Sequence, residues 1–184
     1  MKLFKSSDHR VKWNRFISKY DTHRYDKGEI ILLQDEVPDN IRIIKSGIVK
    51  TYDIDSNGEE KTVSFDNVRE IFPLGWAFKQ IERTQYFYQA FTDCEVIVIP
   101  RDEFVRYLRL NPRMGSEMYA DMASRFINMQ SRILSLQQSK APDKILYTLK
   151  FLCGRFGVEV KEDVALVKIA LTQQELSDFI GLTR

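Results

Sequence analysis

No grouping of side chains in this 184-residue sequence resembles catalytic machinery. Its only histidines, His9 and His23, stand apart, so no imidazole cluster for a metal can be assembled. For the same reason no Ser-His-Asp or Cys-His arrangement presents itself, and no glycine-rich phosphate loop leads into a helix. Cys94 and Cys153 are isolated from each other in apolar contexts and are expected to be buried free thiols. No catalytic residue, metal ligand or cofactor is therefore assigned. The chemistry on offer is recognition by hydrogen bonding, and it is concentrated between Leu171 and Arg184. Thr172 and Glu175 have the spacing of a capping box, in which each side chain accepts from the other residue's amide. The helix they open carries Leu176, Phe179 and Ile180 on one face. Gly181 can end it by taking the left-handed turn, and Thr183 can cap a second helix with Arg184 on its first turn. A capped helix, a glycine turn and a second capped start make a helix-turn-helix pattern, whose second helix meets base edges in the major groove. Two-helix corners in enzymes share the pattern, so the residues upstream decide.

A second group of candidates lies between Arg69 and Gln80, where Pro73 and Gly75 break regular structure among Phe72, Trp76 and Phe78. Tyr86, Phe87 and Tyr88 follow. Aromatic side chains at this density either fill a core or line a pocket for a flat apolar ligand.

The elements that must position these residues change character along the chain. Residues 8 to 20 have the spacing of an amphipathic helix, with Trp13, Phe16, Ile17 and Tyr20 on its stripe. From Thr22 to Pro100 short apolar runs alternate with turn residues. Strands are expected at Ile30 to Leu33, Ile41 to Ile44, Ile48 to Ile54, Lys61 to Phe65, Tyr86 to Phe91 and Val96 to Ile99, with Asn57-Gly58 as a hairpin turn. Such spacing indicates an all-β sandwich or jelly-roll barrel. The alternation around Ile41 to Ile44 leaves the buried face undecided. Phe104, Tyr107 and Leu108 belong to a helix of a turn or two after Pro100. Pro112 then restarts the chain into a long helix, in which Tyr119, Met122, Phe126, Met129, Ile133 and Leu136 recur at alternating spacings of three and four. That is a heptad seam for a partner copy, although a helix packed on its own domain shows the same period. Met118, Ile127 and Leu134 are expected on the other side. Pro142 and Asp143 open a further helix bearing Ile145, Leu149 and Leu152, which ends near Gly157. Val158 to Val160 and Val164 to Leu171 then form a small hairpin.

Hydrophobic content of 43% supports a core, and the net charge of +2 is too small to argue for nucleic acid by itself. No apolar run reaches the roughly 18 residues of a membrane span. The first ten residues lack the apolar stretch of a signal peptide, so a cytoplasmic location is expected.

The order of these parts resembles the Crp/Fnr family of transcription regulators. The resemblance rests on Ile44-Lys45-Ser46-Gly47, Asn57-Gly58-Glu59-Glu60-Lys61, Cys94-Glu95-Val96, Asn111-Pro112, and Leu171 to Leu176 ending in Gly181-Leu182-Thr183-Arg184. It implies an α+β fold: a cyclic-nucleotide-binding-like jelly-roll barrel over residues 1–110 and a dimerisation helix over 111–140. The front of a winged helix-turn-helix occupies 141–184. It also implies a homodimer on a palindromic DNA operator, with RNA polymerase as a further candidate partner and an unknown small-molecule effector. By the resemblance Arg184 contacts a base edge at the start of the recognition helix, while Thr172 and Thr183 fall where hydroxyls cap or meet phosphates. Against the family's length the sequence is C-terminally incomplete, with most of the recognition helix beyond it.

The departures concern the effector. The places that hold ribose and cyclic phosphate in cAMP-binding members are occupied by Pro73-Leu74 and Thr84-Gln85, without the arginine that matches a phosphate. Arg83 is adjacent but belongs to the other face of a strand. Met129 and Gln130 take the purine-facing places on the long helix. The candidate pocket is thus Phe72, Leu74, Trp76, Phe78, Thr84, Gln85, Tyr86, Met129 and Gln130, and cAMP is not expected to bind it. Two other classes fit the sequence less well. A sensor module acting through protein partners would not continue into Thr172 to Arg184, and a jelly-roll metalloenzyme needs the paired histidines this chain lacks.

Overall fold

The computed structural model describes residues 7–182, with side chains from Arg10 onward. The chain forms two compact units, one running up to Glu117 and the other starting at Met118. The division falls inside the long helix, not at its two ends as the three-part reading of the sequence has it.

The first unit begins with α1 (Ser7–Ile17), followed by β1 (Thr22–Tyr25), β2 (Ile30–Leu32), β3 (Asn40–Ser46), β4 (Val49–Ile54) and β5 (Glu60–Asp66). Then come β6 (Ile71–Phe72), the one-turn α2 (Leu74–Ala77), β7 (Phe87–Ala90), β8 (Cys94–Pro100), α3 (Arg101–Leu110) and the start of α4 (Pro112–Gln137). The strands make two four-stranded antiparallel sheets, in the orders β1-β8-β3-β6 and β2-β7-β4-β5. This is the expected jelly-roll sandwich, with β1 and β6 as strands that no alternation announced.

Local chemistry explains the turns. Asp55 Oδ1 accepts from the amides of Asn57 and Glu59, and Gly58 takes φ +81° between β4 and β5. Gly47 joins β3 to β4 at φ +87°, where a Cβ would stand 2.3 Å from the carbonyl oxygen of Asp93, so only glycine fits.

Ile41, Arg42, Ile43 and Ile44 are all buried, which is why alternation could not choose a face. Ile44 enters the core between the sheets with Leu32, Val49, Phe72, Ala90 and Val96, while α3 packs over the other side of β3. Helix α3 runs for ten residues, longer than expected, and buries Phe104 and Leu108. Trp13 of α1 packs against Phe104 and Tyr107, and Phe16 stacks on Tyr107 with centroids 3.9 Å apart. Tyr20 lies past the end of α1, and its hydroxyl donates to Glu103 at 2.6 Å.

The second unit contains α4 from Met118, α5 (Ala141–Phe156), the hairpin β9 (Gly157–Lys161) and β10 (Val164–Val167), and α6 (Gln173–Ile180). Three expectations change here. Helix α5 buries Thr148, Leu152 and Phe156 at four-residue spacing, whereas Ile145 and Leu149 are exposed. Of Met118, Ile127 and Leu134 only Met118 is buried, because around a helix of 3.6 residues per turn they do not share one face. Cys94 is a buried free thiol as expected, but Cys153 is exposed: it sits one residue past Leu152 on α5 and so turns off the buried stripe.

Candidate nucleic-acid interface, dimer face and effector site

Helix α6 is defined at both ends by its own sequence. Thr172 is extended (φ −67°, ψ 163°), its Oγ1 accepts from the Glu175 amide at 3.1 Å, and its amide donates to Glu175 Oε2 at 2.7 Å. Both halves of the capping box are formed, so two of the amides a helix start leaves open are satisfied. At the other end Gly181 adopts φ +71°. Its amide donates to Asp178 and that of Leu182 to Ser177, the two bonds of a Schellman turn. The Ser177 hydroxyl fixes the same turn by donating to the Leu182 carbonyl at 2.7 Å. Phe179 and Ile180 are buried and Leu176 is half-buried, so one face anchors α6 while Gln173, Gln174 and Asp178 face outward. Thr172 is exposed with its hydroxyl proton uncommitted, which suits donation to a phosphate oxygen. Thr183 and Arg184 lie outside the described residues.

Along α4 all six heptad positions are exposed in the single chain, from 37% at Met122 to 73% at Tyr119, with Phe126 at 59% and Ile133 at 49%. Met129 and Leu136 belong to the same exposed stripe. A contiguous apolar stripe of this kind marks a surface that another body covers. The same helix holds a residue that the periodicity passes over. Arg132 is 8% exposed and donates through Nη2 to the carbonyl of Phe179. In sequence it is one more basic residue on a helix, and only the contact with α6 distinguishes it.

The effector candidates separate into groups. Phe72 is buried and stacks on Tyr88, with centroids 4.9 Å apart and planes 16° from parallel. Burial, aided by Asp66 and Tyr86, pushes the Tyr88 hydroxyl pKa far above that of a free phenol. Trp76 is buried beneath the Arg101 guanidinium at 4.8 Å, and Phe78 meets Phe104, so both are turned to α3. Leu74 opens α2, half-buried, as is Tyr86. Thr84 is 1% exposed, and its hydroxyl donates to the Leu33 carbonyl at 2.5 Å while accepting from the Glu36 amide at 3.1 Å. Its backbone bonds to Asp35 and Glu36 as well, which ties β7's approach to the turn after β2. Gln85 is exposed, with its carbonyl accepting from Gln34 Nε2. Arg83 donates to the Asp35 carbonyl at 2.8 Å, so the arginine beside this place is engaged by the same turn. Met129 and Gln130 are exposed on α4 in the second unit. Within the first unit the structure brings Phe72 together with Tyr88, and Thr84 together with residues 33–36.

Among the described residues no three His, Cys, Asp or Glu side chains are grouped to hold a metal, and no helix is long and apolar enough to cross a membrane. Cys94 packs its Sγ near the carbonyls of Ile48 and Thr92, and burial raises its pKa, which disfavours the reactive thiolate.

Residues 22–111 match the family model of the cyclic nucleotide-binding domain. Over 169 residues the chain is 25% identical to the HTH-type transcriptional regulator ArcR of Staphylococcus haemolyticus, covering 92% of this chain and 73% of that protein. It is 24% identical over 178 residues to the cAMP-activated global transcriptional regulator CRP of Escherichia coli, covering 97% and 83%. Among solved structures, FixK2 from Bradyrhizobium japonicum superposes with a TM-score of 0.72 at 18% identity, covering 89% of this chain and 78% of that one.

Proposed function

We propose, from the premise that this chain belongs to the Crp/Fnr family of transcription regulators, that it reads a two-fold symmetric DNA site as a homodimer, without enzymatic activity and without cAMP as effector. The observation that carries the reading is α6, capped by Thr172 and closed by the left-handed Gly181, because a capped helix ended by a tight glycine turn is how a helix-turn-helix begins. The exposed α4 stripe supports the dimer. Two copies of the motif then address two half-sites about one helical turn apart. A protein with this role acts in the cytoplasm, and RNA polymerase is the further partner that transcription regulation calls for. Rejection of cAMP follows from charge: burying a cyclic phosphate requires a cationic partner, and Thr84 is already committed to the turn at residues 33–36.

The test is base discrimination by Arg184. With fluorescence anisotropy on the protein's own site, Arg184→Ala should cost about 1–3 kcal/mol at one base pair per half-site, and nothing elsewhere. Equal weakening on every sequence would make Arg184 a phosphate contact and remove it from base reading.

A further inference from the structure

The guanidinium of Arg132 is held in an unusual way. Its Cζ lies over the Phe179 ring, 3.6 Å from the centroid, and Nη2 donates to the Phe179 carbonyl. Nε and Nη1 are buried without a partner. Burial lowers its pKa to about 10, which leaves it cationic at neutral pH. Phe179 is the penultimate residue of α6, so its carbonyl is among those that a helix end leaves open, at the negative end of the helix dipole. The Schellman turn at Gly181 serves Asp178 and Ser177, and Arg132 serves Phe179. One turn further along α4, a Cβ added to Gly181 would stand 3.8 Å from Leu136 Cδ2. Residues 132 and 136 therefore both meet the C-terminal end of α6, the end at which the chain turns toward Thr183. The same turn of α4 carries Ile133 and Leu136 of the exposed apolar stripe.

We propose that Arg132 is a positioning residue for DNA binding: its buried guanidinium fixes the C-terminal end of α6 to α4. The inference rests on the reading of the chain as a dimeric DNA-binding regulator. Its test compares wild type with Arg132→Met, Arg132→Lys, Phe179→Leu and the Arg132→Met/Phe179→Leu pair. Sedimentation, amide hydrogen exchange and DNA affinity are measured on each. Arg132→Met should remain dimeric, with unchanged exchange over residues 22–111. Its α6 amides should exchange about tenfold faster or more, the size of one lost charge-assisted hydrogen bond. DNA affinity should fall by a similar factor. Lysine keeps the charge but not the planar guanidinium over the ring, so Arg132→Lys should fall between the two. Phe179→Leu should act in the same direction, and the double variant should lose less than the sum of the singles because the two residues act together. Unchanged α6 exchange and affinity in Arg132→Met, or strictly additive losses, would overturn the proposal. If Arg132→Met does not fold, Arg132→Lys and Phe179→Leu decide by the same readouts, and unchanged exchange in both overturns it. If wild type binds no DNA, the functional reading fails, while α6 exchange still decides whether Arg132 holds the helix.

Discussion

Replacing Phe126 and Ile133 together with Asp should convert a dimer to single chains. In one chain the six α4 stripe residues expose 37% to 73% of their surface. Covering the exposed half of such a side chain contributes about 1 kcal/mol. Six on each of two protomers give a gross term of about 12 kcal/mol, against an association cost of roughly 4–15 kcal/mol. The double substitution removes four of those twelve contributions, about 4 kcal/mol, or about a thousandfold in dissociation constant. Four carboxylates facing an apolar seam add a desolvation cost in the same direction. Both positions are exposed in the single chain, so its fold should tolerate the change. Sedimentation velocity at micromolar concentration reads the outcome, with circular dichroism to show that the fold persists. A wild-type chain that sediments as a monomer there, or a variant that still dimerises, refutes the assignment of this stripe as the seam.

Thr84→Val should lower the stability of the jelly roll by about 2 kcal/mol, because it removes the two hydrogen bonds by which a buried hydroxyl holds the Leu33 carbonyl and the Glu36 amide. An unchanged thermal transition would show that the turn does not depend on that hydroxyl. Calorimetry with cAMP should give no binding in the low micromolar range, since Thr84 stands where the family resemblance puts the phosphate's arginine, and its neighbour Arg83 donates to the Asp35 carbonyl. A low micromolar dissociation constant would overturn that exclusion.

Legibility in the sequence followed how local each feature is. The capping box at Thr172 and Glu175, the Gly181 turn and the Asn57-Gly58 hairpin are decided within a few residues, and each formed as its residues required. Strand boundaries along β3 to β5 and β8 were legible to within about two residues, the usual slack of element ends. What depended on distant partners was not legible. Whether Ile41 to Ile44 had one covered face or two depended on α3, some sixty residues away. The two-residue β6 exists only through its pairing with β3. For α5 the choice of buried stripe was decided by α6 and the β9–β10 hairpin, which cover Thr148, Leu152 and Phe156 instead of Ile145. The clearest case is Thr84. Sequence alone puts it among the candidate pocket residues. Its hydroxyl instead holds the turn at residues 33–36, so arginine there should disrupt the turn.

Selecting binding sites from random double-stranded DNA with the protein tests the central claim most directly. The account predicts enrichment of a two-fold symmetric sequence, with half-site centres about one helical turn apart and one strongly preferred base pair per half-site that is lost with Arg184→Ala. Recovery of unenriched DNA, or of a single asymmetric site bound by one chain, would contradict it.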